Sequence, residues 1–263
     1  MSEVFHENTK LTPISTRVFR QSMAAFQASK VLKEMTAQPY KKYSLADKAE
    51  LPAVEPGNAL EESLATRRSQ RLFTGEAIGR EQLSRLLYFS YGRTGDNGRK
   101  RPVPSGGALY PLEIYVAARN IEGLEPWLYH YDVEEHALDV VVREDRWAAL
   151  QNCLALQDMD DPDTCSAVLF VTAIFERSTI KYQDRAYRMI LMEAGEVAQS
   201  LALLATRLGL GSYFLGGFID DALSDVLCID GVGEAPLLPM VLGVPVPDDS
   251  ARRSPKTNGS PSS

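Results

Sequence analysis

The segment Arg67–Arg71, with the sequence Arg-Arg-Ser-Gln-Arg, contains residue types that could bind a phosphorylated ligand. Its three guanidinium groups and one hydroxyl can hold a phosphate and donate a hydrogen bond to a ring carbonyl. Arginine is suited to this because it binds phosphate in a bidentate geometry. A basic run is, however, more often the exposed end of a helix. The segment therefore gains weight only in combination with others.

Two glycine pairs are the next candidates. Gly106-Gly107 follows Ser105 in the sequence RPVPSGGALYP, and Gly216-Gly217 lies in the segment 209–218, GLGSYFLGGF. Because glycine has no Cβ, its backbone can approach a flat ligand closely, and the prolines make the first turn rigid. Each pair alone is also typical of an ordinary loop or of a tight connection after a helix. Neither segment has the pattern of a Walker A loop or of a dinucleotide fingerprint.

Other polar residues do not indicate a metal site. His130 and His136 lack the spacing of metal ligands. An acid-rich loop around Pro162 lacks the glycine and the terminal glutamate of a calcium-binding loop, so we expect a solvated turn there. The acids of this loop are Asp158, Asp160, Asp161 and Asp163.

Hydrophobic periodicity predicts the elements that must position the candidate residues. Helical spacing covers Arg80–Tyr91, and Asp145 is a suitable N-cap for a helix from Trp147 to Leu154. Alternating or continuous apolar runs predict strands, two of which form a hairpin. The predicted strands are Leu112–Ala118, Trp127–Tyr131, Leu138–Val142, Ala167–Phe175 and Pro236–Val244.

The longest predicted helix runs from Arg185 to Leu208. Its apolar residues cover nearly every face, and such a helix must be buried on all sides. In a domain of this size we expect a second subunit to complete that burial. Glu193 interrupts the apolar pattern as a buried, hydrogen-bonded group or as an interface residue, and we assign it no catalytic role. The order of helices and strands predicts an α+β fold with helices against a mainly antiparallel sheet.

Changes in composition divide the chain into three parts. Residues 1–59 are predicted to be an N-terminal extension, in which Thr12-Pro13 opens a helix that continues through Leu32. Residues 60–247 form the main domain. Residues 248–263 have no hydrophobic side chain larger than alanine, cannot offset the entropy of ordering, and are predicted to be a disordered tail.

Overall composition disfavours several classes of protein. The chain has 263 residues and a net charge of −7, which disfavours nucleic acid or an anionic membrane as a partner, because binding phosphate groups requires a positive field. No apolar run reaches the length of about 18 residues that a membrane span requires. The N-terminus lacks the apolar core of a signal peptide. Three dispersed cysteines indicate reduced thiols and a cytoplasmic protein.

The arginine segment and the two glycine pairs, with the long helix between the pairs, together resemble the nitroreductase superfamily. PSGGALYPLEIYV, which begins at Pro104, is similar to its branch of SagB-type and microcin-type azoline dehydrogenases. Further marks of that branch are YHY at Tyr129, KY at Lys181 and YRMILMEAG at Tyr187. The resemblance covers about residues 60–244. It implies a nitroreductase-like α+β fold whose long helix lies at a dimer interface.

The resemblance also implies a homodimer that holds two FMN molecules at the subunit interface. The arginine segment would hold the phosphate, ribityl chain and pyrimidine edge of FMN. The first glycine pair would line the flavin, and the second would place backbone N–H groups near flavin N5. Family members also use C-terminal basic residues on the phosphate, for which Arg252 and Arg253 are the nearest candidates and stay unassigned. The residues implied to hold FMN are Arg67, Ser69, Arg71, Ser105, Gly106, Gly107, Gly216 and Gly217.

Lys181-Tyr182 is the pair to which the resemblance assigns chemistry. Converting an azoline to an azole removes a proton and a hydride, so a base must face an electron sink, and FMN can accept the hydride at N5. The pKa values of free tyrosine and lysine are about 10 and 10.4, but a nearby ammonium lowers the first and burial lowers the second. In the microcin-type dehydrogenases such a pair acts as the base. An arbitrary Lys-Tyr dipeptide is more often a surface lysine beside a packing tyrosine.

Three functions compete at this point. The first is an FMN-dependent dehydrogenase that converts thiazoline or oxazoline rings of a ribosomally made precursor peptide to thiazole or oxazole, together with cyclodehydratase partners. The second is an NAD(P)H-dependent reductase of nitro compounds, quinones or dehydroamino acids. Lys181-Tyr182 favours the first, since a simple reductase needs no base for a carbon acid. The third is a flavin-poor scaffold subunit of a peptide-modifying complex. The arginine segment and both glycine pairs argue against it, and a colourless purified protein would support it.

Overall fold

The computed structural model describes residues 2–36, 40–41, 47–95, 98–154 and 161–247. Within them the chain forms nine α-helices and six β-strands. The helices are α1 Ser2–Thr9, α2 Pro13–Ala28, α3 Lys30–Thr36, α4 Ala59–Thr66, α5 Arg80–Tyr91, α6 Trp147–Cys153, α7 Glu176–Tyr182, α8 Ala186–Arg207 and α9 Asp220–Leu227. The strands are β1 Leu112–Ala118, β2 Leu128–Asp132, β3 Ala137–Val142, β4 Ala167–Ile174, β5 Gly211–Phe214 and β6 Glu234–Gly243.

The strands form one sheet in the order β3-β2-β1-β4-β6-β5, and all neighbouring strands in it are antiparallel. This confirms the predicted α+β fold. Side chains of the central strand β4 alternate between two buried clusters. Leu169 and Val171 pack on the side of α5 and α8, and Val168 and Phe170 pack on the side of α6 and α9. Burial on both faces accounts for the continuous apolar sequence of β4.

Most of the predicted elements coincide with observed ones within one or two residues. At the start of α6, the Trp147 backbone N–H donates to Asp145 Oδ1 at 2.8 Å, as the predicted cap requires. One strand was not predicted, and one prediction is wrong. The segment 209–218 contains strand β5, which the sequence analysis did not predict. The helix opened by Thr12 ends at Ala28 instead of continuing through Leu32, because the backbone of Ser29 is extended.

The sequence analysis expected the long helix α8 to be buried on all sides with the help of a second subunit. Within this chain alone, one of its faces is exposed. Ile190, Val197 and Leu201 are fully buried, whereas Leu191 is 42% and Met192 is 60% exposed. The second subunit that would cover them stays a prediction. By length and composition alone, the helical stretch Glu176–Arg207 could cross a membrane. Its buried face packs on the core of this domain, which accounts for its apolar composition.

The start of the N-terminal extension docks on the main domain. The Leu11 backbone N–H donates to Asp220 Oδ2 at 2.8 Å, and the ring of His6 in α1 lies 5.1 Å from that of Phe175. These contacts join α1 to the ends of α7 and α9. The predicted disordered tail, residues 248–263, lies outside the described residues. The same holds for Asp158, Asp160, Arg252 and Arg253.

Candidate functional site

Lys181 and Tyr182 lie against the first glycine pair. A Cβ built on Gly107 would lie 2.6 Å from the Tyr182 hydroxyl oxygen and 2.7 Å from Lys181 Nζ. The two polar groups therefore occupy the space that any side chain at Gly107 would need. Two segments far apart in the sequence, predicted as a flavin-lining turn and as a base, form one cluster in the fold.

The C-terminal end of α7 positions the pair. The next residue, Gln183, has a φ of +48°, in the left-handed region that residues other than glycine rarely adopt. Lys181 Nζ lies 5.1 Å from the centroid of the Tyr182 ring, which is a cation–π distance. Lys181 is exposed, and Tyr182 is half-buried against the core cluster of α5 and α8. An ammonium thus lies beside a phenol, as the proton-abstraction hypothesis requires.

A buried carboxylate on α8 holds the glycine turn. Glu193 is 3% exposed and accepts hydrogen bonds from Ser105 Oγ at 2.6 Å and from the Tyr91 hydroxyl at 3.0 Å. Ser105 Oγ in turn accepts a hydrogen bond from the Tyr110 backbone N–H at 3.0 Å. These bonds connect the two ends of the turn Ser105–Tyr110 to each other and to α8.

The backbone of this turn is strained. Gly107, Ala108 and Tyr110 have φ angles of 69°, 56° and 46°. For a residue with a Cβ, the left-handed region costs roughly 1–2 kcal/mol, which the surrounding contacts must offset. The hydroxyl hydrogen of Ser105 is committed to Glu193, so Ser105 positions the turn. What the turn can offer to a flat ligand is the backbone of Gly106-Gly107.

The surroundings of Tyr91 keep its hydroxyl protonated in the hydrogen-bond network of Glu193, Ser105 and Tyr91. Burial, followed by the nearby charge of Glu193, raises the pKa of the Tyr91 hydroxyl, so it stays a hydrogen-bond donor. Burial also raises the pKa of the Glu193 carboxyl, although the hydrogen bonds from Ser105 and Tyr91 act in the opposite direction. The Arg101 guanidinium lies 5.4 Å from the centroid of the Tyr91 ring and adds a positive charge near the carboxylate.

The arginine segment and the second glycine pair line one cavity of 570 Å³. Arg71, Gly216 and Gly217 are among its lining residues, and the Arg71 guanidinium lies 5.3 Å from the centroid of the Tyr213 ring. A Cβ built on Gly216 would meet no atom within 4 Å. The backbone therefore borders open space there. Pockets for small ligands have volumes of about 300–1,000 Å³, and this cavity falls in that range.

Strand β5 explains why the arginine segment and the second glycine pair meet. Ser69 forms a parallel bridge with Ser212, so the arginine segment runs beside β5 and the turn that follows β5 carries Gly216. Arg67 is the C-cap residue of α4 and is half-buried, whereas Ser69 and Arg71 are exposed. The predicted FMN residues thus form two groups. One group lies with Lys181 and Tyr182, and the other lies along β5.

Helix α2 also lines the cavity, which the sequence analysis missed. Phe19, Arg20 and Met23 face the same space as Arg71, and no residue of α2 is buried. Apolar spacing predicted the helix, but such spacing does not say which surface a helix covers. The partner of Glu193 was missed for a similar reason, since Tyr91 has the pattern of an ordinary core residue at the end of α5.

The residues present in these two groups fit FMN. Arg71 has the planar, bidentate donor that suits a phosphate or a pyrimidine edge. The backbone at Gly216 borders open space, where the face of a flat ring system can lie without meeting a Cβ. At Gly107 the absence of a Cβ leaves room for Lys181 and Tyr182.

Comparisons with known proteins show the family to which this chain is related. The model of the nitroreductase family matches residues 64–244. The nitroreductase-family protein MJ1384 of Methanocaldococcus jannaschii is 39% identical over 196 residues, which are 74% of this chain and 94% of that protein. The microcin B17-processing protein McbC of Escherichia coli is 32% identical over 166 residues, 61% of this chain and 60% of that protein.

Among solved structures, the fold is similar to a chain of the E. coli microcin synthetase McbBCD complex with truncated pro-MccB17 bound. The TM-score is 0.64 at 22% identity, and the superposition covers 92% of this chain and 97% of that chain. At this identity the likeness concerns the fold alone. Its coverage is larger than residues 60–263 could supply, so it extends into the N-terminal extension.

Proposed function

Because the chain belongs to the nitroreductase family, we propose that it is an FMN-dependent dehydrogenase that acts on a peptide. Oxidoreductase chemistry follows from the family. The proposed reaction converts thiazoline or oxazoline rings in a ribosomally made precursor peptide to thiazole or oxazole. Cyclodehydratase subunits would supply the azoline rings, and the protein would act as a homodimer in the cytoplasm.

The observation that carries this proposal is the contact of Lys181 and Tyr182 with Gly107. A simple reductase of nitro compounds needs no base that removes a proton from carbon. Here an ammonium and a phenol hydroxyl converge on the backbone of a glycine turn, at 2.7 Å and 2.6 Å from the position of its absent Cβ. A ring lying against that turn would have both groups within reach, which is the first requirement for a general base.

Four features of the chain would have separate roles in the proposed reaction: the pair Lys181-Tyr182, Glu193, Ser105 and the Gly106-Gly107 turn. Lys181 and Tyr182 act together as the base that takes the proton from the azoline carbon. Glu193 holds the turn through Ser105, so that Gly106-Gly107 keeps a fixed distance from the pair. Bound FMN would supply the two-electron sink that accepts the hydride.

Similarity to a peptide-processing protein supports a peptide substrate. The chain is 32% identical over 166 residues to McbC, which by its name processes the peptide microcin B17. Both Lys181 and the Gly106-Gly107 turn lie at or near the protein surface, where an extended chain can reach them.

A second candidate function is an NAD(P)H-dependent reductase of nitro compounds, quinones or dehydroamino acids. The 39% identity to the nitroreductase-family protein of M. jannaschii, over 94% of that protein, favours it. This reductase would use the same FMN residues, and the Lys181-Tyr182 pair would have no role in its chemistry.

The test is turnover of a synthetic peptide that contains one thiazoline, with purified protein reconstituted with FMN. We expect the loss of two hydrogen atoms by mass spectrometry and the appearance of thiazole absorbance. Tyr182→Phe keeps the ring, removes the hydroxyl, and should slow the reaction by about 10²–10⁴. Reduction of its FMN by dithionite should be unchanged, because the electron sink is intact.

Two results would contradict the proposal. If the wild-type protein leaves the thiazoline unchanged and oxidises NADPH in the presence of a nitro compound, the second candidate function, the reductase, is correct. A Tyr182→Phe variant that oxidises the peptide at the wild-type rate would remove the pair from the chemistry.

A further inference from the structure

A second cavity, of 630 Å³, lies between α1 and the α7–α8 junction, and the proposed reaction does not use it. Its floor is aromatic. Phe175 and Tyr187 stack with ring centroids 5.9 Å apart, and the His6 ring packs edge-on against Phe175 at 5.1 Å. Aromatic rings of this kind pack against apolar groups and can also form a cation–π interaction.

The rim of this cavity, which we call the α1–α7 cavity, is acidic. Among the described residues that line it, four are acids and none is lysine or arginine. Lys10 lies 2.8 Å from Glu7 and offsets part of this negative charge, and Asp184 also has an interaction within the protein. A negative rim over an apolar floor selects ligands that combine a positive charge with an aliphatic stem. The four acids are Glu3, Glu7, Glu176 and Asp184.

His6 gives an independent indication of a missing partner. The residue is 8% exposed, lines the cavity, and has a buried Nε2 without a hydrogen-bond partner, while its Nδ1 lies 3.2 Å from the Tyr187 hydroxyl. In the tautomer whose Nδ1–H donates to Tyr187, Nε2 is an acceptor. A ligand N–H would satisfy it once the ring rotates toward the cavity, because Nε2 itself is not exposed to the cavity. Burial, and then the charge of Lys10, lower the pKa of His6, so at neutral pH the ring does not repel a cation.

The α1–α7 cavity and the proposed base lie on opposite faces of one short helix. Glu176 and Thr179 line the cavity, and Lys181 lies about 140–200° around α7 from them, next to Gly107. A helix with its side chains is about 10–12 Å across, and an extended peptide advances about 3.3–3.6 Å per residue. A peptide that presents its azoline at Gly107 can therefore reach the cavity with a residue at least about three positions away.

We propose that the α1–α7 cavity binds a basic side chain, an alkylammonium or guanidinium group, of the peptide that this protein processes. That the basic group belongs to a peptide substrate rests on the proposed function. The carboxylates at the rim pair with the positive charge, and the rings of Phe175 and Tyr187 pack against the aliphatic stem. The cavity would thus select precursor peptides with lysine or arginine at a fixed spacing from the azoline.

The cavity can be tested by nuclear magnetic resonance without any turnover. The sequence has three histidines, so untagged protein gives three imidazole ring signals, and His6→Gln identifies the one from His6. We expect N-acetyl-lysine methylamide and its arginine counterpart to shift the His6 signal saturably at millimolar concentration. The norleucine counterpart, which has the stem without the charge, should shift it far less.

Charge variants test the rim. Glu176→Gln should weaken lysine-derivative binding about two- to fivefold, the usual effect of one partly exposed ion pair. Because Glu176 also lies in the first turn of α7, Glu3→Gln serves as a second variant that leaves α7 intact. The exposed Glu55 does not line the cavity, and Glu55→Gln should bind as the wild type does.

The source of the ligand is tested with a thiazoline peptide in which the basic residue is replaced by norleucine. A higher KM at unchanged kcat is expected for the wild type, and a smaller rise in KM is expected for Glu176→Gln. An unshifted His6 signal, or equal shifts with lysine and norleucine derivatives, would overturn the proposal. Binding of the lysine derivative with an unchanged peptide KM would assign the cavity to a free amine instead. Binding without any thiazoline oxidation would refute the proposed function and leave the ligand class standing.

Discussion

Gly107 is the residue at which the turn that we propose to line the flavin meets the proposed base, Lys181 and Tyr182. The side chains of Lys181 and Tyr182 fill the space beside it, so a methyl group there must displace them. We expect Gly107→Ala to slow azoline oxidation by about 10²-fold, because small misplacements of catalytic groups have effects of that size. The rate is measured by mass spectrometry with the thiazoline peptide.

Gly123→Ala is the matched control for this substitution. Gly123 has a φ of +70°, close to the +69° of Gly107, but a Cβ there would come no closer than 3.9 Å to another side chain. Both variants therefore carry the same backbone strain, and only one disturbs the pair. Equal rates in the two variants would show that displacement of the pair does not slow the reaction.

The burial of Glu193 predicts how the stability of the protein depends on pH. Because burial raises the pKa of Glu193 above its value in the unfolded chain, its contribution to stability is fully present below about pH 4.3, the ordinary pKa of glutamate. That contribution is lost as the pH rises through the raised pKa of the folded state. Glu193→Gln has no such titration. We expect the stability of the wild type relative to Glu193→Gln to fall with pH above about 4.3.

Urea unfolding of both proteins between mildly acidic and neutral pH measures this difference. A relative stability that is flat with pH would mean that the folded and unfolded carboxyls titrate alike. A relative stability that rises with pH would mean that the hydrogen bonds from Ser105 and Tyr91 outweigh the effect of burial.

At the scale of elements, α2 gains a role that no motif assigns to it. It has no buried residue, yet Phe19 and Met23 face the cavity of Arg71 and Gly216. Such a helix has too little contact of its own to hold it in place and would gain contacts from a ligand in the cavity. We infer that FMN is enclosed partly by α2.

The double variant Phe19→Ser/Met23→Ser should therefore bind FMN about three- to tenfold more weakly, because two partly buried apolar side chains are lost. Ile14→Ser/Val18→Ser is the control, since both residues are exposed on α2 and neither lines the cavity. Fluorescence titration of the apoproteins with FMN measures both. Unchanged affinity in the first variant would place FMN away from α2.

At the scale of the whole molecule, the apolar surface of α8 predicts a homodimer. Leu191 and Met192 are exposed within one chain, although they lie in the long helix α8, whose other face is buried in the core. A second copy would cover them. Met192→Glu should shift the protein toward monomer in light scattering at micromolar concentration, whereas Val141→Glu, at an exposed site on β3, should leave the dimer intact. A monomeric wild type with FMN still bound would contradict the prediction.

The sequence by itself determined most of the regular structure. Strands such as β1 and β4 and helices such as α5 and α8 have periodic or continuous apolar patterns, and local periodicity is a direct consequence of which face is buried. Strand β5 was missed because it has only four residues, and the glycines on either side of it are more typical of a loop. The short helices α4, α7 and α9 have fewer than three turns, too few for a clear period.

The sequence also predicted residues for the candidate site, which stay a prediction, but the tertiary structure alone decided how they are grouped. Motifs placed Gly106-Gly107 and Lys181-Tyr182 in one family pattern, whereas their contact depends on where α7 ends against the turn. Glu193 was noticed as a polar residue in an apolar helix, and its partners Ser105 and Tyr91 come from two other elements. Contacts of this kind join residues distant in the chain. They follow from the packing of the whole core, and no local pattern encodes them.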